Sequence, residues 1–209
     1  MNPRTRQKVP TALWLLPILA LGTGLRILAF GGLVGTDDAM YADLAHKVAS
    51  GQFASVHAME LGAFPLRVGV YGPAAVAFRI LGVSEASLAV YPFLVSMLSI
   101  LLAFVAGRLF FGRQVGLIAA LLCACLPIDA RYATLLFPDL VAAFWVNVGI
   151  LFLYRGSREG SGARKLSHGL LCGLALGVSW LCKESMVFSL PFIASISSGP
   201  LMSRAAMHD

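Results

Sequence analysis

Charge is scarce in this chain. Asp, Glu, Lys and Arg make up 12% of its 209 residues, about half of the ~25% that soluble domains carry. Polar stretches long enough for a soluble domain are missing, and so is any internal repeat. Cysteine is rare as well: Cys123, Cys125, Cys172 and Cys182 lie inside or at the ends of apolar runs. The Cys-Ala-Cys spacing suits no standard zinc site, and no histidine stands near it. These cysteines read as small apolar residues packed between helices. The formal net charge is +6, yet no basic stripe exists for nucleic acid. The cations fall in short clusters between apolar runs, which is the pattern of membrane topology.

Apolar sequence fills the chain, at 58% of residues and a mean hydropathy of +0.82. A basic head, Arg4, Arg6 and Lys8, precedes an apolar run over residues 9–35. That run exceeds the roughly twenty residues a bilayer requires and lacks a small-residue cleavage site, so it reads as an uncleaved first span. Arg26, near its far end, either snorkels or meets an acidic partner. Further runs cover residues 87–110, 115–130, 135–154 and 166–182, and a shorter one covers 185–199. The expected fold is all-α: one polytopic membrane helix bundle over residues 1–209, with about five to six transmembrane helices.

Basic residues orient the bundle. Arg4, Arg6 and Lys8 put the N-terminus in the cytoplasm, and the connectors with Arg108, Arg113, Arg155, Arg158, Arg164 and Lys165 follow it there. Asp37, Asp38, Asp43, Glu60, Glu85, Asp129, Asp139 and Glu184 then fall outside. Acids contribute little to orientation, so their gathering on one face needs another reason, and a working site is one. Residues 35–85 form the longest external loop. Met40, Leu44 and Val48 recur at helical spacing, with Tyr41 and Ala45 beside them, and predict an amphipathic interfacial helix that stops at Gly51. Pro65 and Pro73 interrupt the next apolar stretch, which reads as a re-entrant or interfacial helix.

The loop opens with Thr36-Asp37-Asp38. One reading is local: Thr36 caps the helix, and the acids sit in its first turn, where the helix dipole favours negative charge. The other is catalytic, and the two are compatible.

An acidic pair just after the first span, followed by "YADLAHKVASGQF", resembles the first external loop of the polytopic C-type glycosyltransferases, which include the protein O-mannosyltransferases and the aminoarabinose transferases. The likeness continues in order through "FPLRVGVYGP", "ILGVSEAS", "GRLFFGRQVGLIAALLCACLPIDARYATLLFPDLVAAFW" and "GLLCGLALGVSWLCKES". It implies transfer of a sugar from a polyprenyl-phosphate carrier to an extracytoplasmic acceptor, in contact with membrane lipid. Asp37 is then the expected general base, with Asp38 beside it. Tyr41, Arg67, Arg131 and Lys183 are expected to bind substrate. Asp139 matches the family's second acid and is the candidate metal ligand, since leaving-group charge needs cations or a divalent metal. Two departures stand out. "GAFPLR" lacks the acid and lysine that the aminoarabinose transferases carry before a Pro-Pro-Leu, and Met40 replaces the arginine before their tyrosine. The resemblance also implies a longer protein, so the chain is expected to be a fragment or a minimal module whose site a partner chain completes.

Two other classes stand beside the enzyme. One is a catalytically incomplete accessory membrane protein of the same ancestry. The other is a transporter, which would place charges at the midplane of broken helices in two related halves. The acids here gather at one face and no second half is visible.

Overall fold

The computed structural model describes residues 11–57, 62–160 and 162–198. The basic head with Arg4, Arg6 and Lys8, and Glu60 of the loop, lie outside the described residues. Among the described residues every regular element is helical, so the architecture is the all-α bundle expected. Ten α-helices run in order through the described residues: α1 Ala12–Leu28, α2 Thr36–Ala49, α3 Phe53–His57, α4 Val68–Leu81, α5 Glu85–Phe111, α6 Arg113–Cys125, α7 Pro127–Tyr132, α8 Pro138–Ser157, α9 Ala163–Cys182 and α10 Ser189–Ser198. Two 3₁₀ turns, Phe64–Leu66 and Glu184–Phe188, join α3 to α4 and α9 to α10.

Among the described residues three helices, α5, α8 and α9, are long and apolar enough to cross a membrane. α1, α4 and α6 are apolar but shorter. The third apolar run divides because Leu126 is extended, with Pro127 opening α7. A residue before proline avoids the helical region, and proline suits the first helical position. The last run is short for a similar local reason: the 3₁₀ turn consumes its first residues, leaving α10 with ten.

Helix ends carry the local logic. Ser84 caps α5: its hydroxyl accepts from the Ser87 backbone N–H at 3.1 Å, and Ser87 accepts from the Ser84 N–H at 3.0 Å. Gly112 takes φ +94° between α5 and α6, a conformation glycine adopts without strain. The two helices then pack closely. A Cβ on Gly116 would stand 2.7 Å from the Phe104 carbonyl oxygen, so a side chain there would force the pair apart. α8 and α9 are tied by the Ser179 hydroxyl, which donates to the Ala142 carbonyl at 2.9 Å.

Pro73 does not break the loop's second helix. α4 runs through it, and Pro65 sits in the 3₁₀ turn before it. Pro73 stands in the second turn, so α4 forgoes the one bond that its N–H would make to the Gly69 carbonyl and continues past it. α4 turns Val70, Tyr71, Ala74, Ala75 and Phe78 inward, and α2 turns in Tyr41, Leu44 and Ala45. The amphipathic face of α2 is therefore covered by α4. Val95, Val141 and Cys182 join the same core, which links the loop to the spans.

The cysteines divide. Cys172 and Cys182 are buried between helices, and a Cβ on Gly69 would meet the Cys182 sulfur at 2.7 Å. Cys125 is exposed, so it is not packed between helices as the sequence suggested.

Candidate functional site

The acidic pair splits into two different environments. Asp38 is fully buried. Its carboxylate accepts from the backbone N–H groups of Val34, Gly35 and Ala39 at 2.8, 2.9 and 2.9 Å. Gly35, in extended conformation, is the N-cap of α2, so Asp38 is the third-position acid that reaches back to it. Thr36 lies inside the helix and is not the cap that the sequence suggested. Asp37 is half-buried and stands in the first turn without that constraint. Its contact is long, with the Thr36 hydroxyl donating at 3.5 Å.

One helical turn on, Tyr41 is fully buried. Its hydroxyl accepts from Arg67 Nη1 at 2.7 Å, and its ring lies 4.9 Å from that of Phe64. Burial raises the Tyr41 pKa; the Asp37 charge adds to the rise, and the Arg67 guanidinium opposes it. Arg67 forks onto Glu184, donating from Nε to Oε2 at 2.9 Å and from Nη2 to Oε1 at 2.6 Å. The guanidinium also stands 5.6 Å from the centre of the Phe64 ring. The Arg67 bonds lower the Glu184 carboxyl to about 2, and the same bonds raise the Arg67 pKa.

Lys183 precedes Glu184 and turns to another partner. Its Nζ donates to Asp139 Oδ1 at 2.5 Å. The adjacent Lys183 and Glu184 thus do not pair with each other. Asp139 owes its place to Pro138, which opens α8 and puts the acid in the first turn. Asp139 also lines a cavity of about 310 Å³ with Leu126, Ile128, Asp129, Tyr132 and Leu140. A second cleft of about 360 Å³ between α5, α6 and α8 is mostly apolar and shares Asp129 and Leu140 with the first. Among the described residues no three His, Cys, Asp or Glu side chains gather, and Asp139 has a lysine for its neighbour.

Four of the seven site residues read from sequence therefore fall on one path. It runs from Tyr41 through Arg67 to Glu184, passes along the chain to Lys183 and ends on Asp139; Asp37, one helical turn before Tyr41, acts on its start through charge alone. Asp38 braces the start of that path. Arg131 stands apart: it is exposed and donates from Nη1 to the Ala29 carbonyl at 3.3 Å, at the end of α1. Sequence reasoning missed the role of Glu184 as the partner of Arg67. Its only signal there was an acid on the outer face.

Asp129 does not pair with Arg131 either. Its Oδ2 meets Arg26 Nη2, and Arg26 is fully buried and does not snorkel. An arginine in an apolar run demands such a partner, but the sequence alone leaves open which acid supplies it.

Residues 73–203, more than half of the chain, match the family described as dolichyl-phosphate-mannose-protein mannosyltransferase. An undecaprenyl phosphate-alpha-4-amino-4-deoxy-L-arabinose arabinosyl transferase of Pseudomonas aeruginosa (strain UCBPP-PA14) is 27% identical over 186 residues, covering 88% of this chain and 34% of that protein. A similarly named transferase, numbered 2, of Pseudomonas fluorescens (strain Pf0-1) is 27% identical over 191 residues, covering 88% and 34%. The chain thus spans about a third of the length of these relatives. No solved structure matches it.

Proposed function

Because this chain belongs to the dolichyl-phosphate-mannose-protein mannosyltransferase family, we propose that it is the acid-bearing portion of a membrane glycosyltransferase. It takes a sugar, a hexose or a pentose, from a polyprenyl-phosphate carrier and passes it to an acceptor outside the cytoplasm. The observation that carries this reading is the path of bonds from Tyr41, one helical turn after Asp37, through Arg67, Glu184 and Lys183 to Asp139. The relatives' names supply the class of donor, an undecaprenyl-phosphate-linked sugar.

Asp37 is the residue suited to deprotonate the acceptor. A general base must reach the acceptor proton and keep a free oxygen for it. Asp38 spends its oxygens on backbone N–H groups, whereas Asp37 has one long contact. The anomeric carbon then passes from the carrier phosphate to the acceptor oxygen, and the phosphate leaves with its negative charge. Lys183, Arg67 and Arg131 are the cations at hand to stabilise that charge. Arg67 commits all three nitrogens to Glu184 and Tyr41, whereas the Lys183 ammonium, bonded to Asp139, keeps further N–H donors. A divalent ion at Asp139 would draw on fewer than three His, Cys, Asp or Glu side chains from the described residues. The apolar cleft between α5 and α8 offers a surface to a polyprenyl tail, with the Asp139 cavity at its polar end.

In this reading the N-terminus is cytoplasmic and the Asp37 loop is outside. A partner region completes the walls of the site. The test is a transfer assay in vesicles with a polyprenyl-phosphate sugar, using the chain with and without a helix-bundle region taken from the remaining length of a relative. Transfer that needs both parts supports the proposal. Absence of transfer from every such combination, with both parts inserted, favours the accessory reading.

A further inference from the structure

We propose that Arg26 and Asp129 are positioning residues that fix the Asp37 loop relative to Asp139; the inference rests on the glycosyltransferase reading of those two acids. Arg26 is fully removed from solvent and donates from all three guanidinium nitrogens. Nε donates to Ser96 Oγ at 2.7 Å, and Nη1 donates to the carbonyls of Gly22 at 2.9 Å and Ala124 at 3.1 Å. Nη2 donates to Asp129 Oδ2, and the Ser96 hydroxyl donates to that same oxygen. One side chain thus joins α1, α5, the end of α6 and α7.

Burial of a charge pair is a weak means of gaining stability, because an apolar pair of similar volume serves as well. What the pair adds is direction. A planar guanidinium satisfied on every edge permits one arrangement of its partners. Position gives that direction a use. α1 runs straight into the loop that carries Asp37, and α7 runs into the turn that carries Asp139. A second tie reinforces the first, from Arg131 to the Ala29 carbonyl. The Arg131 guanidinium comes so close to the connection that a Cβ on Gly31 would stand 2.6 Å from its Nη1. On the other side, Tyr41, Arg67, Glu184, Lys183 and Asp139 join the same two segments. The segments that carry Asp37 and Asp139 therefore belong to one closed ring of bonds and backbone, and Arg26 with Asp129 is one side of it. Opening that side leaves the Asp37 loop held through α2 and α4 and by the single bond from Arg131 to Ala29.

The test uses the full chain with its four cysteines replaced by alanine and nitroxide labels at Ala39→Cys on α2 and Ile128→Cys on α7, both exposed positions. The double variant Arg26→Met/Asp129→Leu removes the pair without leaving a lone buried charge. The expected result is a distance distribution that loses its single narrow peak while helix content stays unchanged. Ser96→Ala, a smaller change, should move the distribution in the same direction, and it decides the matter if the double variant does not insert. An unchanged distribution in the inserted variants overturns the proposal. In the complemented transfer assay the double variant should lose kcat on the order of a hundredfold, the scale of an ångström's misplacement, with the donor KM unchanged. A broadened distribution with full kcat also overturns it. If the unaltered protein transfers no sugar in any combination, the glycosyltransferase reading fails while the distance result still decides whether the pair holds the two segments.

Discussion

Arg67 grips Glu184 in a fork, with Nε 2.9 Å from Oε2 and Nη2 2.6 Å from Oε1, across 117 residues of sequence. The grip fastens the segment after α9 to the loop that carries Asp37. Tyr41 sits on the third edge of the same guanidinium, so the loop, its first helix and the end of α9 share one cation.

The fork predicts an acid response. The Glu184 carboxyl is lowered from 4.5 to about 2 by its bonds to Arg67. A depressed carboxylate contributes stability that is fully present above its unfolded value and is lost as pH falls through its folded value. Amide-exchange protection at the start of α4 should therefore hold at pH 5 and decline between about 4.5 and 2. The Glu184 side chain is 43% exposed, so solvent screening keeps the effect modest. In Glu184→Gln the protection should be lower near neutral pH and should change less over that interval. A decline of equal size in the variant would show that another group titrates.

The two neighbouring aspartates should separate by phenotype. Asp38→Ala removes the acceptor of three backbone N–H groups and should cost about 1–2 kcal/mol of stability, at the upper part of the capping range. Asp37→Asn should leave stability nearly unchanged. Thermal unfolding in detergent reads both. Equal losses would mean that Asp37 is also structural.

The Lys183–Asp139 pair should matter for transfer and little for stability. Both side chains are partly exposed, at 27% and 53%, and such pairs contribute roughly 0–1 kcal/mol. Lys183→Met should therefore keep the melting midpoint within a few degrees, on the order of 1 kcal/mol, while lowering transfer in the complemented system. A large loss of stability with normal transfer would return the pair to a structural role.

The site should face away from the cytoplasm. Thr36 is exposed at the start of α2, so Thr36→Cys in a cysteine-free background should react with an impermeant thiol reagent added outside intact cells. Labelling that requires lysis would reverse the orientation drawn from the basic clusters.

Much of this was legible in the sequence, for definable reasons. Apolar length exposes α5, α8 and α9, and helical spacing exposes α2 through Tyr41, Leu44 and Ala45. Proline exposes the start of α8, and with it the placement of Asp139. The limits are equally physical. Periodicity shows that α2 has an apolar face but not what covers it, and α4 was the answer. Adjacency in sequence offers Glu184 as the partner of Lys183, and Arg131 as the partner of Asp129, and neither pair forms. Helical and turn geometry sends neighbouring side chains in different directions, so Lys183 reaches Asp139, Glu184 reaches Arg67 and Asp129 reaches Arg26. Long-range partners are a property of the folded bundle. Thr36 was read as the cap because its type fits, but the extended backbone at Gly35 moves the cap one residue earlier.

The central claim is that Asp37 is the base of a sugar transfer from a polyprenyl phosphate. Its most direct measurement is transfer by Asp37→Asn in vesicles holding the complementing region, with membrane insertion checked in the same sample. A general base contributes about a hundred- to ten-thousandfold, so the account predicts a loss within that range with insertion intact. Full transfer by the inserted variant would contradict it and leave the acidic pair as the start of a helix.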